Sequence, residues 1–366
     1  MNEEKELVVN NFIKKIVPEG TFLTRSGSGE QSNFLSDGII NINKKIFLPN
    51  DNSPAILNVF SADGSKNIGR ELYTRHLMEN TSVPIQRLIE HGRSNVFVGR
   101  DCGFLIKEYK FGKTLDEVLT NNSREHLNQV DISSILSDLG LYLGQINSVV
   151  LPAFGKIENF NIVGPYNQCT WKDYYLYRLY QRMTKLESLP HDKKVGNFTV
   201  KDITNLLPKL FANTHSYLPI LEQVNVPHLA HGDFHFLNII ASKKDEKWGI
   251  SGILDLENMI AADPEVDLIS IESQMNLSPA YRDLFMSNID NFKNSYNQPV
   301  SKHYQEKRWL YHLTWSLSYF ETIMQMDTDL HPVTSPINHY MKKHFEVLEK
   351  LSCNKKINDI GIPSLY

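Results

Sequence analysis

The chain alternates between two patterns of apolar residues along its first 110 positions. Apolar residues recur at helical spacing over residues 5–17. Residues 21–60 then carry short β-rich segments separated by Gly, Asp, Asn and Pro, which predicts antiparallel strands joined by hairpins. Helical spacing returns at 67–80, and two strand-like segments follow at 95–100 and 103–110. The order of strands, helix and strands predicts a small α+β lobe.

Beyond Gly112 the apolar pattern is mainly helical. Residues 132–146 place their apolar positions on one face, with Asp131 as the expected N-cap, and 170–183 and 307–326 predict two further long helices. The one strand-like region of this half, residues 236–257, reads as a hairpin.

The lobe boundary is expected between Glu108 and Gly112. The prediction is therefore an α+β, bilobal chain with a β-rich lobe at 1–110 and a larger, mainly helical lobe at 111–366.

Composition narrows the class of protein. A chain of 366 residues with 41% hydrophobic and 22% charged residues is long enough for two globular lobes. A net charge of −4 without basic runs argues against nucleic acid as a partner and would suit a cationic small molecule. The three cysteines are far apart and form no CxxC, and no run of about 18 apolar residues occurs, so we expect a cytoplasmic protein with reduced thiols and no membrane partner.

Polar residues crowd one apolar segment, LAHGDFHFLNII at 229–240. His231, Asp233 and Asn238 reproduce the H-x-D-x-x-x-x-N spacing of a kinase catalytic loop. In such a loop the aspartate meets the acceptor hydroxyl, and the asparagine offers a neutral oxygen to a metal ion on the nucleotide. Asp255 ends the second strand of the expected hairpin, which would bring it beside Asn238 as a second metal ligand.

The same segment permits a different interpretation. His231 and His235 are four residues apart, the spacing of two zinc ligands on a helix. Gly232 and the apolar flanks favour a loop entering a strand, and no HExxH glutamate is present, so a zinc hydrolase is the weaker hypothesis. His231 is then expected to be a buried histidine that hydrogen-bonds the loop.

Two motifs together carry a family resemblance. HGDFHFLNII with ILDLENMIAADPEVDL resembles the aminoglycoside phosphotransferase and choline kinase family, whose fold is similar to that of protein kinases. The resemblance implies that Asp233 is the catalytic base, that Asn238 and Asp255 bind Mg²⁺, and that Asp267 is a buried carboxylate supporting the catalytic loop. It also implies ATP or GTP as the phosphoryl donor.

Weaker matches extend the resemblance into the first lobe. RSGSGEQSN at 25–33, with Ser28 and Gly29, occupies the place of the loop that covers the nucleotide, although a plain hairpin turn also fits. Glu71 matches the glutamate of the first-lobe helix. Backbone groups from Glu108 to Lys110 would meet the base of the nucleotide.

One position departs from the family. The third strand of the family carries a lysine that contacts the phosphates, and AILNVF places Asn58 there. Three explanations stay open: Lys44 or Lys45 on a neighbouring strand replaces the lysine, the strand register differs, or the chain is a pseudokinase.

The expected activity is phosphoryl transfer from ATP or GTP to a hydroxyl of a small molecule. An aminoglycoside or related, possibly polycationic, antibiotic is the leading acceptor, which would make the enzyme an antibiotic-resistance factor. The alternatives are a metabolic kinase acting on choline, a sugar, an amino acid or a nucleoside, and a silent nucleotide-binding pseudokinase. His235, Glu272 and Glu321 are candidate acceptor ligands. The chain would act as a monomer or homodimer.

Overall fold

The computed structural model describes residues 42–48, 52–60, 65–97, 100–120, 127–158, 160–165, 169–325 and 333–366. The predicted helix at 5–17, the predicted strands before Ile42, and Ser28 and Gly29 lie outside these residues. The chain divides into two compact units. Met1–Tyr73, Ile85–Lys110 and Glu158–Phe160 form the first unit, and Thr74–Pro84, Phe111–Ile157 and Asn161–Tyr366 form the second.

The described part of the first unit is an antiparallel sheet with one helix. Its strands are β1 (Ile42–Phe47), β2 (Pro54–Phe60), β3 (Leu88–Phe97) and β4 (Arg100–Glu108), in the order β1-β2-β4-β3, and helix α1 spans Ser65–Leu77. Alternation of side chains along a strand places Phe60 and Leu105 on one face of the sheet. These two residues form a buried cluster with Ile68 of α1, against which Leu72 and Leu88 pack. The predicted order of strands, helix and strands is confirmed here.

The second unit is mainly helical. Its described helices are α2 (Leu115–Leu119), α3 (Gln129–Ser148), α4 (Trp171–Glu187), α5 (Val200–Thr204), α6 (Leu207–Thr214), α7 (Glu265–Leu277), α8 (Pro279–Met286), α9 (Ile289–Tyr296), α10 (Tyr304–Gln325) and α11 (Ser335–Ser352). The three long helices predicted from periodicity correspond to α3, α4 and α10. No helix in the described ranges is both long and apolar enough to span a membrane.

Short strands in this unit frame the polar segment. They are β5 (Lys113–Thr114), β6 (Gly155–Glu158), β7 (Asn161–Val163), β8 (Lys194–Val195), β9 (Phe198–Thr199), β10 (His228–Ala230), β11 (Ile239–Lys244), β12 (Lys247–Ile253) and β13 (Ile260–Ala262). Three small sheets result, with orders β10-β13-β6-β7, β12-β11-β5 and β8-β9. The predicted hairpin is confirmed as β11 and β12, whose turn residues Asp245 and Glu246 have positive φ angles of 50° and 63°. The expectation that it is the one strand-like region of this half is wrong, because the other strands, of two to four residues each, are too short to show an alternating pattern.

One predicted helix start is wrong. Helix α3 begins at Gln129 rather than after Asp131, because Asn128 is the N-cap. The Asn128 side chain accepts a hydrogen bond from the Asp131 backbone N–H, and the Asp131 carboxylate accepts one from the Asn128 N–H. Asp131 therefore stabilises the helix start from the third helical position, as one half of a capping box.

Candidate active site

A loop between β10 and β11 carries the predicted catalytic residues. After β10 ends at Ala230, residues 231–235 form the loop, and a single 3₁₀ turn at Phe236–Asn238 leads into β11. Gly232 has a φ of +76°, and a Cβ there would lie 2.5 Å from the Asn258 carbonyl oxygen. Only glycine fits this backbone without strain. The loop entering a strand is the predicted arrangement, and it excludes His231 and His235 from one helix face.

Asp267, near the start of α7, binds the backbone of this loop. One carboxylate oxygen accepts from the Gly232 N–H at 2.8 Å. The other accepts from the His231 N–H at 2.8 Å and from Asn147 Nδ2 at 3.0 Å. Burial is the main influence on the Asp267 carboxyl and raises its pKa, although His231, Asn147 and the two backbone donors act in the opposite direction. Asp267 therefore has the position and the contacts of a residue that fixes the shape of the loop.

His231 is a buried histidine that links the loop to the strand ending at Ile253. Its Nε2 lies 2.9 Å from the Leu254 carbonyl oxygen, and its ring packs edge-on against Phe234. Burial is the largest influence and lowers the pKa of His231, although Asp267 and Asp233 act in the opposite direction. A neutral ring with Nε2–H donating to Leu254 fits these surroundings.

The hairpin of β11 and β12 returns the chain to Asn238. Ile239 pairs with Ile253, and the Leu254 N–H donates to the Asn238 carbonyl at 2.8 Å. Asp255 follows in a left-handed conformation, with φ 62° and ψ 55°. Left-handed backbone at a non-glycine residue is unfavourable and concentrates at functional sites.

Four polar side chains converge at the end of this hairpin. Asn238 Nδ2 lies 3.0 Å from the Asp233 carbonyl oxygen and 3.4 Å from Asp233 Oδ2. Asn258 Nδ2 lies 3.3 Å from Asp233 Oδ2 and 3.4 Å from Asp255 Oδ2. The Asn258 amide thus contacts the carboxylates of both Asp233 and Asp255. The structure brings together Asp233, Asn238 and Asp255, which are spread over 23 positions of sequence.

His235 controls the charge of Asp233. Burial by itself would raise the pKa of the Asp233 carboxyl, but His235, whose Nε2 lies 3.4 Å from Asp233 Oδ1, is foremost among the groups that bring this pKa below its usual value. Burial opposes charge on His235 as well, but Asp233, and then Asp255 and Asp116, raise its pKa. Asp233 is therefore held as a carboxylate, the form in which it can accept a proton.

The donor set of this cluster suits magnesium. Mg²⁺ prefers carboxylate and amide oxygens, and it is bound by one or two protein carboxylates together with nucleotide phosphates and water. Asn238 and Asp255 supply one amide and one carboxylate. Among the described residues no group of three or more His, Cys, Asp or Glu side chains is placed to hold a metal ion.

Glu272, a candidate acceptor ligand, lies in the interior of the second unit. Its carboxylate accepts from Arg308 Nε at 2.7 Å, from Tyr304 Oη at 2.8 Å and from the Leu365 N–H at 2.9 Å, and it lies 3.0 Å from His312 Nε2. The residue has no exposed surface. This interior position corrects the sequence-based expectation, because every contact of Glu272 is structural.

Glu321 is occupied by two cations. Arg182 Nη1 lies 2.9 Å from one carboxylate oxygen, and Lys185 Nζ lies 2.6 Å from the other. These pairs join α4 to α10. A role for Glu321 in acceptor binding would require an acceptor ammonium to compete with both partners.

The first unit contains the other predicted nucleotide residues. Asn58 is buried on β2, and Glu71 is buried on α1, where it pairs with Lys107 of β4. Glu108 ends β4, and its side chain contacts Lys110 Nζ at 3.2 Å. The register of β2 with β4 places Asn58 opposite Leu105.

Two site residues were missed by the sequence argument. Asn258 contacts both carboxylates, and Asn147 joins Asp267 to the Leu229 carbonyl oxygen, at 3.1 Å, from helix α3. Asn258 follows Asp255 by three residues. This spacing places the two side chains together only because residues Leu256–Asn258 form a 3₁₀ turn, which the sequence did not predict. Asn147 is 86 positions from Asp233 and carries no local signal.

This loop, its supporting carboxylate and the flanking hairpin define a kinase-like phosphotransferase. Residues 35–287, well over half of the chain, match the model of the phosphotransferase enzyme family. The chain therefore belongs to the phosphotransferase enzyme family. No curated protein sequence matches the chain.

Solved structures show the same fold. The chain is similar to aminoglycoside phosphotransferase APH(4)-Ia, with a TM-score of 0.62 and 12% identity over 94% of this chain and 98% of that one. A putative aminoglycoside phosphotransferase from Ralstonia eutropha has a TM-score of 0.55 and 14% identity over 94% and 98% of the two chains. Spectinomycin phosphotransferase APH(9)-Ia, in complex with ADP and spectinomycin, has a TM-score of 0.56 and 10% identity over 93% and 98%. The predicted α+β, protein-kinase-like fold is confirmed.

Proposed function

We propose that this enzyme transfers the γ-phosphoryl group of ATP or GTP to a hydroxyl of a small molecule, with Asp233 as the base. The observation that carries the proposal is the convergence of Asp233, Asn238 and Asp255 at the end of one hairpin. Catalysis of phosphoryl transfer consists mainly of positioning and charge neutralisation, and a carboxylate base with an amide and a second carboxylate are the residue types that it requires.

Each residue has a defined part in the proposed reaction. Asp233 accepts the proton of the acceptor hydroxyl as its oxygen bonds to the γ-phosphorus and the bond to the leaving nucleoside diphosphate breaks. Asn238 and Asp255 would hold Mg²⁺, which neutralises charge on the phosphates when it is bound. Asp267 and His231 keep the loop in shape, and Asn258 holds the two carboxylates in a fixed relation.

The charge around His235 supports a cationic acceptor. Burial opposes charge on His235, but Asp233, Asp255 and Asp116 outweigh it and raise its pKa, so negative charge predominates around this ring. The buried Tyr281 hydroxyl donates to Asp116 Oδ1 at 2.6 Å and so fixes this carboxylate from the interior. Carboxylates of this kind suit the ammonium groups of an amino sugar.

Relatives with the same fold support an antibiotic as the acceptor class. An APH(4)-Ia variant was solved with ADP and hygromycin B, and an APH(2″) enzyme was solved with GDP and kanamycin. Adenine and guanine nucleotides both occur among these complexes, so ATP and GTP are both tested as phosphoryl donors. We propose an aminoglycoside or related antibiotic for this chain.

Replacement of Asp233 tests the proposed base. Asp233→Asn should lower acceptor-dependent release of nucleoside diphosphate by about 10²–10⁴-fold, because a positioned general base contributes about that much. The assay uses MgATP and MgGTP with a panel of aminoglycosides, choline, sugars and nucleosides. The nucleotide KM and the unfolding midpoint should stay close to those of the wild type.

The matched control is Asp245→Asn, since Asp245 is exposed in the hairpin turn and asparagine tolerates its positive φ. This variant should keep wild-type turnover. Undiminished turnover in Asp233→Asn would contradict the assignment of the base. If a metabolite stimulates the release of nucleoside diphosphate and no aminoglycoside does, the acceptor is a metabolite and the proposed antibiotic class is wrong.

A further inference from the structure

A lysine is buried in the sheet of the first unit. Lys107 lies on β4 with 8% of its surface exposed, and Glu71, on α1, is 2% exposed. Lys107 Nζ lies 3.7 Å from Glu71 Oε1. Removing an ammonium from water is costly, and an apolar side chain would fill this place at lower cost. The burial of this charge therefore requires a reason beyond packing.

The strand register places Lys107 next to the position of the missing family lysine. Asn58 pairs with Leu105, and Ile56 pairs with Lys107. Side chains two residues apart on a strand point to the same face, so Lys107 and Asn58 share a face as diagonal neighbours. Their Cα atoms are then about 7–8 Å apart, a step that the four methylene groups of a lysine can span.

The ion pair with Glu71 distinguishes Lys107 from Lys45. In protein kinases a lysine on the third strand pairs with a helix glutamate, and that ion pair must be in place for the lysine to serve the phosphates. In this chain the glutamate is present, and its lysine partner comes from β4. Lys45 is held differently, because its Nζ lies 4.0 Å from the centre of the Tyr109 ring.

We propose that Lys107 contacts the nucleotide phosphates in place of a lysine at position 58, an inference that rests on the proposed kinase function. At 3.7 Å the contact with Glu71 is longer than a hydrogen bond, so this ion pair orients the ammonium without taking up an N–H donor that a phosphate oxygen would need. Glu71 positions Lys107, and Asn58 leaves room on the shared face for its side chain.

Relocation of the lysine tests the proposal. Lys107→Met should lower kcat/KM for MgATP or MgGTP by about 10–100-fold, mainly through KM, because it removes hydrogen bonds to a charged group. The double variant Lys107→Met/Asn58→Lys returns the amine to the family position and should recover most of this loss. Lys45→Met is the matched control and should stay within about twofold of the wild type.

A purely structural role would give a different result. If Lys107 only neutralises Glu71, Lys107→Met lowers the unfolding midpoint and leaves the nucleotide KM unchanged, which overturns the inference. Should that variant fold poorly, Glu71→Gln/Lys107→Met removes both charges and avoids an unpaired buried carboxylate. This variant should show the same rise in KM, and an unchanged KM again overturns the inference.

Assays of the wild-type enzyme distinguish a failure of this inference from a failure of the proposed function. If the wild type turns over nucleotide and Lys107→Met does so with equal KM, the kinase function stands and the role of Lys107 is wrong. If Lys45→Met has the larger effect, the phosphate lysine is Lys45. If the wild type neither binds nor turns over nucleotide, both proposals are wrong.

Discussion

At the scale of single residues, the site depends on two left-handed backbone positions. Gly232 has φ +76°, and Asp255 has φ 62°. A left-handed conformation costs a residue with a side chain about 1–2 kcal/mol. Gly232 avoids this cost because it has no side chain. Asp255 carries the cost, and its carboxylate lies next to Asn258 in this conformation.

Alanine at position 232 tests the fit of the loop. Gly232→Ala should lower the free energy of unfolding by more than about 2 kcal/mol and also lower kcat, because the added Cβ would meet the Asn258 carbonyl oxygen at 2.5 Å. Chemical denaturation and turnover measure the two effects. Gly361→Ala is the control, since φ there is +77° and a Cβ meets nothing within 4 Å. Equal losses of unfolding free energy in Gly232→Ala and Gly361→Ala would show that backbone strain alone, and not the contact with Asn258, is responsible.

At the scale of elements, α7 and α3 fix the catalytic loop from behind. Asp267 accepts from two loop N–H groups and from Asn147, and Asn147 in turn accepts from the Tyr296 hydroxyl of α9 at 2.9 Å. Three helices are thereby connected to one loop through buried hydrogen bonds. Such a network is rigid because each member is satisfied only in one arrangement.

Replacement of this carboxylate should affect the rate more than binding. Asp267→Asn leaves one acceptor oxygen in place of two, so one loop N–H loses its partner. We expect kcat to fall by about tenfold or more and the unfolding free energy to fall by about 1–3 kcal/mol, the usual cost of a buried unpaired donor. Steady-state kinetics with saturating acceptor and urea denaturation give these values. Asp283→Asn, an exposed change on α8, should leave both at wild-type levels, and an unchanged kcat in Asp267→Asn would contradict a positioning role.

At the scale of the whole molecule, the stability of the second unit depends on buried ionisable groups. Lys307 lies 2.7 Å from Asp263 and 2.6 Å from Glu265, and Arg308 pairs with Glu272 at 2.7 Å. Paired charges of this kind are costly to break singly, typically by about 3–5 kcal/mol. An ionisable side chain that is buried in its neutral form makes the free energy of unfolding depend on pH.

His344, on α11, gives a specific prediction for pH. Burial, with His312 nearby, lowers its pKa to about 3, and its ring stacks on Tyr319 at 4.4 Å with Nδ1 3.1 Å from the Ser316 hydroxyl. The unfolded chain binds a proton at this residue below about pH 6.5, whereas the folded chain does so only near pH 3. His344 therefore costs stability as the pH falls through this window, by up to about 1.4 kcal/mol per pH unit.

The variant His344→Asn should remove this dependence. Between pH 6 and pH 4 the unfolding free energy of the wild type should fall relative to that of the variant, as measured by urea denaturation at each pH. Exposed His191 supplies the control, and His191→Asn should follow the wild-type curve. Parallel curves for the wild type and His344→Asn would show that His344 has the same pKa in the folded and the unfolded chain, which contradicts the prediction.

Local sequence determined much of the fold and of the catalytic loop. Helical periodicity gave α1, α3, α4 and α10, and alternation with turn residues gave the β11–β12 hairpin, because both signals depend on neighbours along the chain. The spacing of Asp233 and Asn238 and the hairpin before Asp255 are local in the same sense. The helix start at Asn128 was missed because Asn128 and Asp131 are both good caps, and the reciprocal bonds of the box decide between them.

Tertiary structure decided what depends on contacts between distant segments. The sequence did not distinguish the buried, fully paired Glu272 from a carboxylate available to an acceptor, since its partners on α10 and at Leu365 are 32 to 93 positions away. The partner of Glu71 likewise depends on the register of β2 with β4, which places Lys107 on the face of Asn58. The sequence by itself determined the family, the order of elements in the described part of the first unit, and the long helices and the hairpin of the second; only the folded chain determined which charges pair, because pairing depends on distance in space.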